Sequence, residues 1–67
     1  MTTYVVPVDE VTTGDRMMSV WEHHPEPVEV RARVLLRTAD GLYIDRLVTD
    51  AGVADYEPLG RVVLVRS

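Results

Sequence analysis

The sequence predicts an all-β fold, a small antiparallel barrel of five strands with one short helical turn at most. Three observations carry this. Within Val28 to Arg37 apolar residues recur at every second position from Val28 to Leu36, turn chemistry recurs at short intervals, and no amphipathic helix of any length can be traced. With 67 residues the chain has room for a single domain, residues 1–67. It contains no cysteine, which removes both disulfides and a Cys-based zinc site as sources of stability. Hydrophobic packing must carry the fold, and a composition that is 46% apolar is too hydrophobic for a disordered chain.

The first strand is read at Tyr4 to Val8, with Pro7 marking a sheet edge because proline has no N–H for a ladder. The polar stretch Asp9 to Asp15 ends in Gly14-Asp15, a turn in which glycine takes positive φ at little steric cost. A second strand, Arg16 to Glu22, runs into His23-His24-Pro25-Glu26-Pro27, where two prolines exclude a regular element. In the third strand Val28, Val30, Ala32, Val34 and Leu36 share one face and Glu29, Arg31, Arg33 and Arg37 the other. On that face assignment Val34→Asp should unfold the domain, whereas Glu29→Ala should be nearly silent.

Asp40-Gly41 marks a hairpin. A two-residue loop would pair apolar with polar side chains on both faces. A three-residue loop of Ala39, Asp40 and Gly41, with Gly41 left-handed, sets Leu36 opposite Ile44 and Arg37 opposite Tyr43, and is the consistent choice. It also leaves Arg46 facing inward opposite Val34, which predicts a bulge near Asp45-Arg46. Thr49 to Gly52 is a turn, and Val53 to Gly60 reads as a loop with room for one helical turn. The final strand, Arg61 to Arg66, holds the unbroken run Val62 to Val65, which suits either a strand covered on both sides or an edge that pairs with something.

The run Val8-Asp9-Glu10-Val11-Thr12-Thr13-Gly14-Asp15-Arg16-Met17, followed by a long hairpin and a Val-rich strand after Tyr56-Glu57-Pro58, resembles SH3-like β-barrels. In those folds a Gly-Asp turn starts the second strand. The resemblance implies a fold that hosts many functions, among them small interaction modules. The chain has no Lys, Asn, Gln or Phe and one Ile, which is what GC-rich coding produces, and this points to an actinobacterial or actinophage source.

The absence of a long apolar run and of a basic, apolar start argues against a membrane span or signal peptide, so a cytoplasmic location is expected. The net charge of −4 weighs against nucleic acid, although Arg31, Arg33 and Arg37 concentrate positive charge on one strand face beside Tyr43. The alternative for these arginines is a solvated face neutralised by Glu29 and Asp45, with Tyr43 covering their stems. His23-His24 with Glu22 and Glu26 lacks the spacing of a metal site, and no cofactor motif is present. Ser19 and two adjacent histidines do not make a catalytic arrangement, so no enzyme is expected.

The sequence therefore points to a non-catalytic interaction module binding a protein partner, itself, or both. Its expected surface is a patch of Trp21, His23, Pro25 and Tyr56, because aromatic side chains bury large areas at low entropic cost. If Val62 to Val65 is an edge, strand pairing there would give a homodimer. The alternative reading is a nucleic-acid-associated barrel that uses Arg31, Arg33, Arg37 and Tyr43.

Overall fold

The computed structural model describes residues 2–66 and contains six strands. They are β1 (Thr2–Pro7), β2 (Arg16–Met17), β3 (Val28–Arg37), β4 (Tyr43–Thr49), β5 (Val53–Tyr56) and β6 (Arg61–Arg66). A 3-10 turn at Val8–Glu10 follows β1. The fold is all-β, but the strands form one open antiparallel sheet in the order β1-β6-β2-β3-β4-β5. Among the described residues no ladder joins β1 to β5, so the expected five-stranded closed barrel is replaced by six strands with two free edges.

The reason lies in β3. Its start pairs with β2, Met17 against Val28 and Arg16 against Glu29, while the remainder pairs with β4. A strand of ten residues runs about 33 Å, so the β3–β4 hairpin projects beyond the core and the molecule measures 39 × 23 × 18 Å. The hairpin has the three-residue loop and register expected, with Leu36 against Ile44, Arg37 against Tyr43 and Gly41 at φ +86°. The Thr38 N–H donates to the Leu42 carbonyl at 2.8 Å and closes the loop.

The bulge, however, is on the other strand. Val30 pairs with Thr49 and Ala32 with Val48, which leaves Arg31 as the extra residue. It sits just past the last bonds along the opposite edge of β3, where the Val30 N–H donates to the Asp15 carbonyl and the Gly14 N–H to the Val30 carbonyl, both at 2.8 Å. Because side chains alternate with period two, one extra residue exchanges the faces of everything beyond it. Val28 and Val30 lie in the core with Met17, Leu47, Val8 and Val62. Ala32, Val34 and Leu36 share the outer face with Val48, Arg46 and Ile44, and Val34 is 40% exposed. The expectation of one continuous core stripe, and of unfolding by Val34→Asp, is corrected accordingly. Arg46 does oppose Val34, but on the outer face, where it needs no bulge because it binds Asp55.

Three further elements differ from the sequence reading. The second strand ends at Met17, because the Ser19 hydroxyl accepts the Trp21 N–H at 3.1 Å and the His24 N–H reaches the Trp21 carbonyl at 3.2 Å, folding the chain into a turn. Val53–Tyr56 is a strand with Ala54 buried and Val53 and Asp55 outward, and the helical turn lies at Val8–Glu10 instead. Finally, β6 is interior: β1 flanks it from Arg61 to Arg66 and β2 meets it at Leu64. Val62 to Val65 is therefore not an edge; Val62, Leu64 and Val65 are buried, but Val63 is 38% exposed, so the run is paired along both edges without being covered on both faces. Among the described residues no helix is long and apolar enough to cross a membrane.

Candidate functional site

Of the aromatic patch expected from the sequence, Trp21, His23 and Pro25 lie on the loop between β2 and β3. The Trp21 indole is half-buried against the core and lies over Gly52, 3.2 Å from where a Cβ would stand. Tyr56 is also half-buried, but it packs beside Gly60. Gly52 precedes β5 and Gly60 follows it, so the two aromatics stand toward opposite ends of that strand. His23 and Pro25 are exposed, and His24 Nδ1 lies 3.2 Å from the Glu26 carbonyl. Burial raises the Tyr56 phenol above its ordinary pKa of 10.0.

The three arginines of β3 do not form a single stripe, because the bulge separates them. The Arg31 Nε is 3.9 Å from the Glu29 carboxylate on the strand surface. Arg33 turns to the inner face, where its Nε donates to Asp45 Oδ1 at 2.7 Å. Arg37 lies over the Tyr43 ring, 5.8 Å from its centroid. Glu29 and Asp45 do lie against Arg31 and Arg33, but the single solvated face weighed above does not form: Asp45 is buried, and Tyr43 meets the Arg37 guanidinium alone.

The surface that sequence reasoning missed lies at the hairpin tip. Gly41, Leu42 and Tyr43 face Glu57, Pro58 and Leu59 of the β5–β6 turn across a groove of about 410 Å³. A second hollow of about 350 Å³ shares Tyr43 and Pro58 with it and continues to Leu35, Asp9 and the Arg33–Asp45 pair. Leu59 is 93% exposed and Leu42 63%, with Leu35 and Tyr43 also more than half exposed. The signal was present in the sequence: Asp40-Gly41-Leu42 and Pro58-Leu59-Gly60 each place a leucine in a turn, where polar residues are usual. The hairpin loop and the Glu57–Gly60 turn, closed by a 2.8 Å bond from the Gly60 N–H to the Glu57 carbonyl, position the two leucines.

The Ser19 hydroxyl is committed to the Trp21 backbone, accepting from its N–H and donating to its carbonyl. Among the described residues no group of three or more His, Asp or Glu is placed to hold a metal ion. On the outer face Arg46 makes two bonds to Asp55, at 2.8 and 3.0 Å, which hold the Asp55 carboxyl below its ordinary value of 3.8. No family model, curated protein or solved structure matches the chain.

Proposed function

We propose that this chain is a non-catalytic interaction module that binds a protein partner in the groove between the hairpin tip and the β5–β6 turn. The observation that carries the reading is the juxtaposition of four exposed apolar residues, Leu42, Tyr43, Pro58 and Leu59, around one concavity. Burying a leucine contributes about 1.5–3 kcal/mol, so two leucines beside a tyrosine make a small hot spot. The carboxylates of Glu57 and Asp9 border the two hollows, which suits an apolar partner segment flanked by basic residues. The residue usage and the Val8–Met17 resemblance support placing the module among small SH3-like proteins of actinobacteria or their phages, acting in the cytoplasm. The nucleic-acid alternative through Arg31, Arg33 and Arg37 has less support, since carboxylates already occupy two of the three.

The test is affinity capture from an actinobacterial lysate with nuclease present, comparing wild type with Leu59→Ser and Trp21→Ala. Leu59 touches too little of the fold for its loss to unfold it. A protein captured by the wild type and lost with Leu59→Ser supports the groove. Capture lost only with Trp21→Ala, in a variant shown to fold, moves the site to the Trp21, His23 and Pro25 loop. Equal capture by all three refutes both surfaces.

A further inference from the structure

The chain has six aspartates, and one of them, Asp40, precedes a glycine. An Asp-Gly bond is a chemically weak point of a polypeptide. The glycine amide nitrogen attacks the aspartate Cγ, a water molecule leaves, and a succinimide ring closes. Water then reopens the ring to give either aspartate or isoaspartate, whose main chain runs through the side-chain carbon. One water is lost and one regained, so no other reactant is needed. Glycine favours the attack because no side chain crowds the approaching nitrogen. The chain contains no asparagine, so no Asn-Gly bond competes in the same chemistry.

Ring closure has two requirements. The carboxyl must be protonated, because a carboxylate is a poor electrophile, and the Gly41 nitrogen must be free to shed its proton and approach Cγ. The closed hairpin loop denies both through Thr38. The Thr38 hydroxyl donates to Asp40 Oδ1 and, with the Asp40 backbone, holds that carboxyl below its ordinary pKa of 3.8, which favours the unreactive anion. The Thr38 carbonyl accepts the Gly41 N–H at 3.0 Å and ties down the nucleophile. The same hydroxyl accepts the Leu42 N–H at 3.1 Å, beside the 2.8 Å bond from the Thr38 N–H to the Leu42 carbonyl. The hydroxyl's bonds are exposed and sit at the tip of a projecting hairpin, the kind of place where a fold opens at least cost.

We propose that Asp40 is a site of spontaneous isomerisation to isoaspartate, held off by Thr38 while the hairpin loop is closed and released when it opens. The modification is local, but it reaches the candidate site. Isoaspartate adds one atom to the main chain inside the loop Ala39 to Gly41, whose closure depends on Thr38 meeting Leu42. Gly41, Leu42 and Tyr43 form one wall of the groove, so a modified tip shifts that wall away from Pro58 and Leu59 and weakens partner binding. The effect on binding rests on the reading of the groove as a docking surface, whereas the chemistry at Asp40 does not.

Incubation of the whole chain at neutral pH over days tests this, with isoaspartate counted by enzymatic methylation. Electron-transfer fragmentation of the tryptic peptide 38–46, which holds Asp40 and Asp45, places it. The folded wild type should isomerise at Asp40 about tenfold or more slowly than the same chain in guanidinium chloride, because two hydrogen bonds must break first. Thr38→Val deletes the hydroxyl and should speed the folded-state reaction about two- to tenfold, while Thr38→Ser keeps the hydroxyl and should stay near wild type. Thr38→Ala replaces the valine variant if that one fails to fold. Equal rates in the folded and denatured wild type overturn the proposal. So does a folded Thr38→Val no faster than wild type, or a Thr38→Ser as fast as Thr38→Val. Chain already converted at Asp40 should exchange its Thr38 amide faster, having lost the Leu42 acceptor, and unchanged exchange overturns the consequence for the groove. A groove that captures no partner leaves all these rates as they are, so the two readings fail separately.

Discussion

Asp45 is 2% exposed on the inner face of β4, and its Oδ1 accepts a 2.7 Å bond from the Arg33 Nε. Replacing Arg33 by Met leaves that carboxylate without its cation. Breaking a fully buried pair costs about 3–5 kcal/mol, because one charge stays desolvated and uncompensated. The Arg33 side chain is one-third exposed, so water already screens the pair and can reach the vacated position, which reduces the expected cost to about 2 kcal/mol. A chain of 67 residues has a total stability of about 3–10 kcal/mol, so this is a large fraction of it. Urea unfolding followed by Trp21 fluorescence measures the loss directly, and a thermal scan should show Tm falling by about 8–16 °C. The double variant Arg33→Met with Asp45→Leu removes both charges and should recover most of the loss. The reasoning fails if Arg33→Met costs less than about 0.5 kcal/mol, or if the double variant costs the sum of the singles.

Three shorter predictions test other parts of the structure. Val30→Asp buries an unpaired charge in the core and should unfold the chain by circular dichroism, whereas Val34→Asp on the outer face should cost about 1 kcal/mol or less; equal effects would place the bulge elsewhere. Gly52→Ala puts a Cβ at φ +153° and 3.2 Å from the Trp21 indole, so it should cost about 1–3 kcal/mol and shift the Trp21 emission. Unchanged emission would remove Trp21 from that contact. Because burial raises the Tyr56 pKa above 10.0, the unfolded chain loses that proton first, so its contribution to stability is present below pH 10.0 and declines above it. An ultraviolet titration of wild type against Tyr56→Phe should show that the component lost with Tyr56 ionises above 10.0, and a component at or below that value would contradict its burial.

Much of the fold was legible because it depends on neighbours in sequence. The alternation of Val28–Arg37 made β3 unmistakable, and Asp40-Gly41 selected the hairpin loop, since only the three-residue loop set Leu36 against Ile44 and Arg37 against Tyr43. The pairing of Arg37 with Tyr43 was legible from the register, whereas the burial of Asp45 with Arg33 was not, because it follows from the face exchange at the bulge. β5 was hidden because Pro58 and Gly60 follow four alternating residues, too few for period two to stand out beside two turn formers. In the candidate site, the exposed leucines of the two turns were visible as exceptions to turn chemistry, but nothing local showed that the turns face each other across one groove.

By itself the sequence determined a small all-β domain, its principal hairpin, the left-handed Gly41 and a hydrophobic core without disulfides, because these follow from side-chain periodicity, backbone sterics and composition. Tertiary structure alone decided where the bulge falls, and hence which half of β3 is core and which is surface. It also decided that β6 is flanked on both edges, that β1 and β5 are the edges, and that the sheet stays open. The physical reason is that a ladder is a contract between strands distant in sequence: β3 bulges at Arg31 within its ladder with β4, next to the point where pairing along its other edge ends, and β6 is interior because β1 returns to it across the whole length of the chain.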